Sequence, residues 1–339
     1  MNKKWYACEM HCHTLHSDGQ FSVKELIDTA VERHLDGIQL TDHNTTSGHD
    51  EVGDSPIPVL KSIEWTTYFG HMHAMNCSQY VDWRDAVPDN IDEKMKAVHD
   101  GDGLVGVCHP FQLGTPICTG GRWDYNVKDW SLVNYMEIWS EGCPYMNTPN
   151  RRTLDLWHSL LDEGYRITPT FGRDWHRATR DVYHSACTYL LCEGQLTDMK
   201  MKEAVRCGRS VISMGPLFYF TVDDKTMGDE VNAGEKTIEF TLDFNRMEKM
   251  GVPEKVVPKK IKLISKGGEV IEALDPTCPR TEISLKENTW YNAELWGKID
   301  DDENCLIALT APVYVKGENQ NGDRNKDNGN NRINRNIEN

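Results

Sequence analysis

Histidines and acids recur along this chain at spacings suited to metal binding. His11 and His13 are one residue apart, so on an extended segment both imidazoles project to the same side. Asp18 follows just before Gly19, which permits a sharp turn. The same residue types return at Asp42-His43, Glu64, His71 and His73, His109, and Asp174 with His176. Neutral imidazoles bind divalent ions, and carboxylates offset their charge and can bridge two of them, which one imidazole nitrogen cannot do. Each piece alone has a plainer reading. An HxH pair arises by chance, Ser17-Asp18-Gly19 is a good turn, Asp42-His43 fits a turn with a helix cap, and His109-Pro110 fits a loop. Their conjunction carries the metal reading, because structural turns have no reason to favour histidine at comparable points of a repeat.

The repeat is one of strands and helices. Residues 7–13 read as a strand that ends where the histidines begin. Ser22 and Glu25 form a capping box ahead of Val23, Leu26, Ile27, Ala30, Val31 and Leu35, which share one helical face. Gly37 ends that helix, and a strand runs into Thr41-Asp42-His43. The rhythm predicts a helix over 91–100, strands over 104–108 and 135–139, a helix over 150–163 and a strand over 166–171. Such alternation argues for a parallel sheet, open or closed into a barrel. The candidate ligands fall mostly at or just after strand C-termini, the edge where α/β barrels place their active sites. Near residue 216 the pattern changes. Alternating Ile238, Phe240, Leu242 and Phe244, then apolar stretches at 260–265, 269–274, 281–285, 289–296 and 305–315, predict a small β-sandwich-like unit. The division expected is 1–215, 216–316 and a flexible tail, 317–339, in which nine of 23 residues are Asn and little can be buried.

Bulk composition narrows the function classes. The net charge of −16 argues against a nucleic-acid partner, though bound cations can locally outweigh the acids and admit a small anionic ester. The eleven cysteines form no CxxC pair, which suits reduced thiols better than a disulfide scaffold. No signal-like or membrane-spanning apolar run is visible, so a cytoplasmic protein is expected.

The ligands sort into groups. His11 and His13 with Asp174 and Glu64 make one site, and Asp18, His43 and His176 a second. Glu64 bridges to a third, completed by His109 and by His71 or His73. A hydroxide shared by two or three Mn, Fe or Zn ions is the expected nucleophile. His16 reads as a neighbour of the site rather than a ligand. His34, His99 and His158 read as structural, and His49 is open. Arg122, Arg151, Arg152, Arg173, Arg177 and His184 are candidates for substrate contact or leaving-group protonation; Arg173 can grip an anion or pair with a neighbouring acid. Glu137 can orient a ligand or a substrate hydroxyl, or make a plain buried hydrogen bond.

These motifs resemble the PHP (polymerase and histidinol phosphatase) family. The matching pieces are HCHTLHSDG at 11–19, TDHN at 41–44, SIEWTT at 62–67, CHP at 108–110 and GRDWH at 172–176. The resemblance spans about 7–215. It implies a distorted (β/α)7 barrel, metal-dependent hydrolysis, and metal ligation by His11, His13, Asp18, His43, Glu64, His109, Asp174 and His176. GHMHA at 70–74, VDWR at 81–84, MEIW at 136–139, AVRCGRSVISMGP at 204–216 and ALTAPVYV at 308–315 are similar to its CehA/McbA branch, which carries a small β domain after the barrel. That branch more often has Asn at the position of His73, so this chain offers an extra imidazole. Phosphoester cleavage is the favoured expectation, carboxylic or carbamate ester cleavage the alternative, and a metal-stabilised binding scaffold the rival from outside enzymology.

Overall fold

A computed structural model describes residues 3–114, 121–141, 148–178, 185–252 and 255–316, with backbone only at 270–273. The expected tail at 317–339 lies outside the described residues. Strand β1 (Lys3–Cys12) leads to helix α1 (Val23–Glu32), whose N-terminus carries the reciprocal Ser22–Glu25 capping box. Val23, Leu26, Ile27 and Ala30 are buried on its inner face, as their spacing predicts, whereas Val31 is 41 % exposed. Strands β2 (Gly37–Leu40), β3 (Val59–Thr67) and β4 (Gly70–Met75) follow, then helix α2 (Ile91–Asp100) and strands β5 (Leu104–Val107) and β6 (Tyr135–Ser140). Helix α3 (Thr148–Asp162), β7 (Thr168–Gly172), β8 (Cys187–Glu193), α4 (Asp198–Arg206) and β9 (Ser210–Ser213) complete this part.

The architecture is mixed α/β, and its strands run in the order β9-β8-β1-β2-β3-β4-β5-β6-β7. Pairs β1/β2, β2/β3, β5/β6 and β6/β7 are parallel, whereas β3/β4, β4/β5, β1/β8 and β8/β9 are antiparallel. The expected strand–helix alternation is therefore broken at β3–β4. Only Tyr68 and Phe69 join those strands, and a parallel crossover needs about a dozen residues or more. Past its end, β7 meets β1 again. Trp175 bridges to Cys12, with His13 N–H donating to Trp175 O at 2.9 Å and Trp175 N–H to His11 O at 2.9 Å. The C-terminal ends of the first and seventh strands thus converge. Beneath them Cys8, Met10, Leu60, Met75, Leu104 and Tyr135 form a buried cluster with Met201, Ala204 and Val205 of α4. Each large apolar side chain buried there contributes about 1.5–3 kcal/mol, which anchors the strand ends above.

After β9, strands Leu217–Val222, Gly234–Asp243 and Arg280–Leu285 form an antiparallel sheet with Lys225–Thr226, burying Phe218, Phe220, Ile238 and Phe240. Strands Val256–Ser265, Glu269–Leu274, Thr289–Ile299, Asp302–Thr310 and Val313–Lys316 join the larger sheet, because Asp302–Thr310 pairs with β9. The larger sheet thus draws strands from both sides of position 215. The stretch at 305–315 is two strands rather than one, parted at Ala311-Pro312, where proline has no N–H to give. No described helix is long and apolar enough to cross a membrane.

Candidate metal centre

The end of β1 is irregular. Met10 and His11 both donate backbone N–H groups to Glu9 Oε1, at 3.0 and 3.3 Å, and the register with β2 shifts between Glu9 and Cys12. This bulge turns His11 and His13 toward the space above the buried cluster. There His13 Nε2 lies 2.9 Å from Asp174 Oδ1, and His11 Nε2 lies 3.1 Å from Glu64 Oε2 and 3.4 Å from Asp174 Oδ1. Glu64, fully buried on β3, is the hub. It is 2.8 Å from His43 Nδ1, 3.0 Å from His71 Nδ1, 3.3 Å from His109 Nε2 and 3.4 Å from His13 Nε2. At the rim, Asp18 Oδ1 meets His176 Nε2 at 3.0 Å and His43 Nε2 at 3.4 Å. Side-chain exposure rises from zero at Glu64 to 27 % at Asp174, 29 % at His176 and 53 % at Asp18, so the cup opens on the Asp18 side.

Local chemistry holds these groups in place. Asp42 is a loop fastener: its carboxylate accepts from Thr14 N–H at 2.7 Å, Thr14 Oγ1 at 2.8 Å and Ser17 Oγ at 2.7 Å, which fixes the segment carrying Asp18. A side chain at Gly19 would sit 2.4 Å from His13 O, so this turn needs glycine. Thr66 Oγ1 contacts His43 Nδ1 at 2.5 Å. Glu137 on β6 takes His11 Nδ1 at 3.1 Å and accepts the His109 N–H at 3.0 Å. Of the alternatives open to Glu137, the structure therefore shows a buried bond that orients His11. Asn44, His109 and Asp174 have φ of 56°, 26° and 53°, unfavourable for side chains other than glycine. Such strain persists where surrounding bonds over-determine it, as the Glu137 bond does for His109.

The electrostatics follow from acids and imidazoles confined together. Burial works against charge on His11, yet Glu64, Glu137 and Asp174 raise it well above its ordinary value. Burial likewise opposes charge on His43 and His109, but Glu64 foremost outweighs it and lifts them to about 10 and about 9. Burial lowers His13 to about 4, and His73 falls by burial and by the nearby His11. Burial alone would raise Glu64 and Asp174; His11 and the other imidazoles hold both well below the usual carboxylate range.

The donor set fits metal ions. Among the described residues, His11 Nε2, both ring nitrogens of His13 and His109, His73 Nε2, Glu64 Oε2 and Asp174 Oδ1 are buried without a well-aligned hydrogen bond, although His13 Nε2 and Asp174 Oδ1 lie only 2.9 Å apart. Orphaned buried groups are rare and costly, and several converging on one space are a donor set suited to a metal ion. Ligand atoms of His11, His13, Glu64 and Asp174 lie within 4.8 Å of one another; so do those of His13, Asp18, His43 and His176, and those of Glu64, His71 and His109. Relative to the grouping read from the sequence, the second set gains His13, and the third contains His71. His71 and His73 both face the cup.

Other expected contacts fall elsewhere. Arg173 takes the second of its two readings, the neighbouring acid: its backbone N–H donates to Glu9 Oε1 at 2.7 Å and its Nε is 3.6 Å from Glu9 Oε2, with Nη2 reaching Ala186 O at 3.3 Å. Only 7 % exposed, this guanidinium is buried beside Glu9. Arg177 is exposed just beyond His176. His184 lies outside the described residues. Arg122 pairs with Asp124, and Arg152 stacks over Phe111. Arg151 lines a separate cavity of about 450 Å³ with Trp139 and Trp296. His16 is tied to Ser47 and Glu51, His49 to Ser62 O, and His99 to Leu132 O; His158 stacks on Trp290. His34 is a turn residue with φ of 52°. Glu9, Thr66 and Cys108 escaped the sequence reading. Thr66 and Cys108 have no local signal, and Glu9 had one, its two-residue spacing from His11.

No family model and no curated protein matches the chain. Solved structures similar to it include a two-domain protein of Bacteroides vulgatus containing a predicted PHP-like metal-dependent phosphoesterase, 14 % identical over 91 % of this chain and 95 % of that one, TM-score 0.49. A protein of Bifidobacterium adolescentis, provisionally described as a metal-dependent phosphoesterase, is 16 % identical over 59 % of this chain and 96 % of its own, TM-score 0.38. An amidohydrolase of Chromobacterium violaceum with bound sulfate and no metal is 15 % identical over 50 % and 87 %, TM-score 0.33.

Proposed function

We propose that this protein is a metal-dependent hydrolase of a small, anionic phosphoester, built on a distorted (β/α)7 barrel of the PHP type, nearest the CehA/McbA branch, with a β-sandwich-like unit after residue 215. The observation that carries the reading is the convergence of orphaned imidazole nitrogens and carboxylate oxygens around Glu64. His11, His13, Glu64 and Asp174 would hold one ion, Asp18, His43 and His176 a second, and His71 and His109 a third through Glu64. Divalent ions held there lower the pKa of water toward neutrality and offset the charge that builds on the attacked group.

The chain's own residues do the rest. Glu137 keeps the His11 proton on Nδ1, so Nε2 offers its lone pair to the cup. His176 Nδ1 is fixed by Asp174 O at 2.7 Å, which aims Nε2 at Asp18. Substrate enters on the exposed Asp18–His176 side, where Arg177 stands outside the cup; His184 stays a proposed leaving-group contact. Three divalent ions would exceed the charge of the four carboxylates Asp18, Glu64, Glu137 and Asp174, and that surplus favours an anion. The nine described cysteines are all free thiols, which suits a reducing, cytoplasmic setting.

Parallel assays of p-nitrophenyl phosphate, bis-p-nitrophenyl phosphate and naphthyl acetate with added Mn²⁺ test this. Turnover of the phosphate esters, lost on chelation, is expected. Turnover of the acyl ester alone would favour the carboxylic or carbamate alternative.

A further inference from the structure

Below the three groups lies another set of buried donors. The ligand atoms of Cys108, His73, His11 and Glu64 are all within 4.8 Å of one another, and none of the four residues is more than 2 % exposed. Sheet register puts them together. Glu64 stands directly opposite His73, His73 opposite Gly106, and Cys108, two residues beyond Gly106, projects to the same face. The imidazoles of His73 and His11 meet edge-on at 4.4 Å. Beneath, the Tyr135 hydroxyl fixes His73 Nδ1 at 3.1 Å and receives Gln39 Nε2 at 3.1 Å; Tyr135 belongs to the apolar cluster that closes this end. His73 therefore aims Nε2 upward, where among the described residues it has no hydrogen-bond partner. Cys108 Sγ reaches Gly106 O at a weak 3.9 Å.

We propose that this floor is an additional metal position with a thiolate ligand, formed by Cys108 Sγ, His73 Nε2 and Glu64. It rests on the reading of the cup as a metal centre. Glu137 occupies His11 Nδ1, so His11 has one nitrogen to give, and it serves either this position or the one with His13 and Asp174. Filling the floor releases the Cys108 proton to solvent as the sulfur–metal bond forms. A thiolate and an imidazole beside one carboxylate favour Zn²⁺ or Fe²⁺ over Mn²⁺, whereas the outer groups, made of imidazole and carboxylate alone, accept all three.

Cobalt substitution of the full-length, metal-stripped protein tests the proposal. Bound Co²⁺ is expected to give visible ligand-field bands and, in addition, a thiolate-to-cobalt charge-transfer band in the near ultraviolet. C108S should abolish that band while keeping the visible ones, and H73Q should lower the cobalt content by one ion per chain. Visible bands without charge transfer, or a charge-transfer band that survives C108S, would overturn the floor position and leave the outer cup standing. No bound cobalt at all would sink both. Should C108S fail to fold, X-ray absorption of the zinc-loaded wild type decides: a sulfur neighbour at about 2.3 Å is expected, and a shell of nitrogen and oxygen only, as when water bridges His73 and Cys108, overturns it.

Discussion

Glu137 Oε1 lies 3.1 Å from His11 Nδ1, while its other oxygen holds the backbone of His109 at 3.0 Å. One carboxylate on β6 thus fixes two residues of the cup, one from β1 and one just after β5. Replacing it by Glu137→Gln removes the anion that keeps the His11 proton on Nδ1. Metal affinity should fall about 10- to 100-fold, the usual cost of losing such a partner. Competition against a chromophoric chelator measures this, and an unchanged affinity would show that Glu137 is an ordinary buried acid.

Gly172 ends β7 hard against Glu137 and His11. A Cβ there would lie 2.0 Å from Glu137 Oε1 and 2.4 Å from His11 Cβ. Gly172→Ala should therefore cost about 1–3 kcal/mol of stability through overpacking. It should also weaken metal retention, because both groups it displaces serve the cup. Denaturant unfolding and metal analysis check the pair; a stable variant with full metal would refute the close approach.

Arg173 is predicted to be a structural residue. Arg173→Ala leaves the fully buried Glu9 carboxylate without its guanidinium, and breaking a buried pair in this way costs about 3–5 kcal/mol. Any folded fraction should keep the wild-type KM for phosphate esters. A raised KM with unchanged thermal stability would return Arg173 to the substrate site.

The metal-free protein should lose stability as pH rises above neutrality. Burial opposes protonation of His43 and His109, but Glu64 overcomes it and places them at about 10 and about 9, against an ordinary 6.5. With folded values raised, their contribution is whole below pH 6.5 and disappears as pH climbs through about 9 and about 10. In the loaded protein the ions replace those protons, so its melting temperature should hold steady over the same range. Melting curves with and without chelator compare the two; parallel curves would contradict the prediction.

What the sequence made legible was local. The HxH spacing of His11 and His13, the Ser22–Glu25 cap and the helical face of α1 are set within a few residues, and the structure follows them. What it concealed depends on register. Glu64 meets His73 only because two residues join β3 to β4, and that hairpin broke the expected alternation. The Arg173–Glu9 pair spans 164 positions and has no counterpart in residue spacing. Cys108 reads from the sequence only as the last residue of the 104–108 strand, and the β4–β5 pairing is what sets it beside His73.

The count of tightly bound transition metals in purified, full-length protein, set beside that of Glu64→Gln, tests the central claim most directly. Glu64 touches His11, His13, His43, His71 and His109, so all three groups lean on its charge. Two or three ions per chain are expected in the wild type, with loss of most of them and of phosphoesterase turnover in the variant. Less than one ion per wild-type chain would contradict the account and favour a binding scaffold.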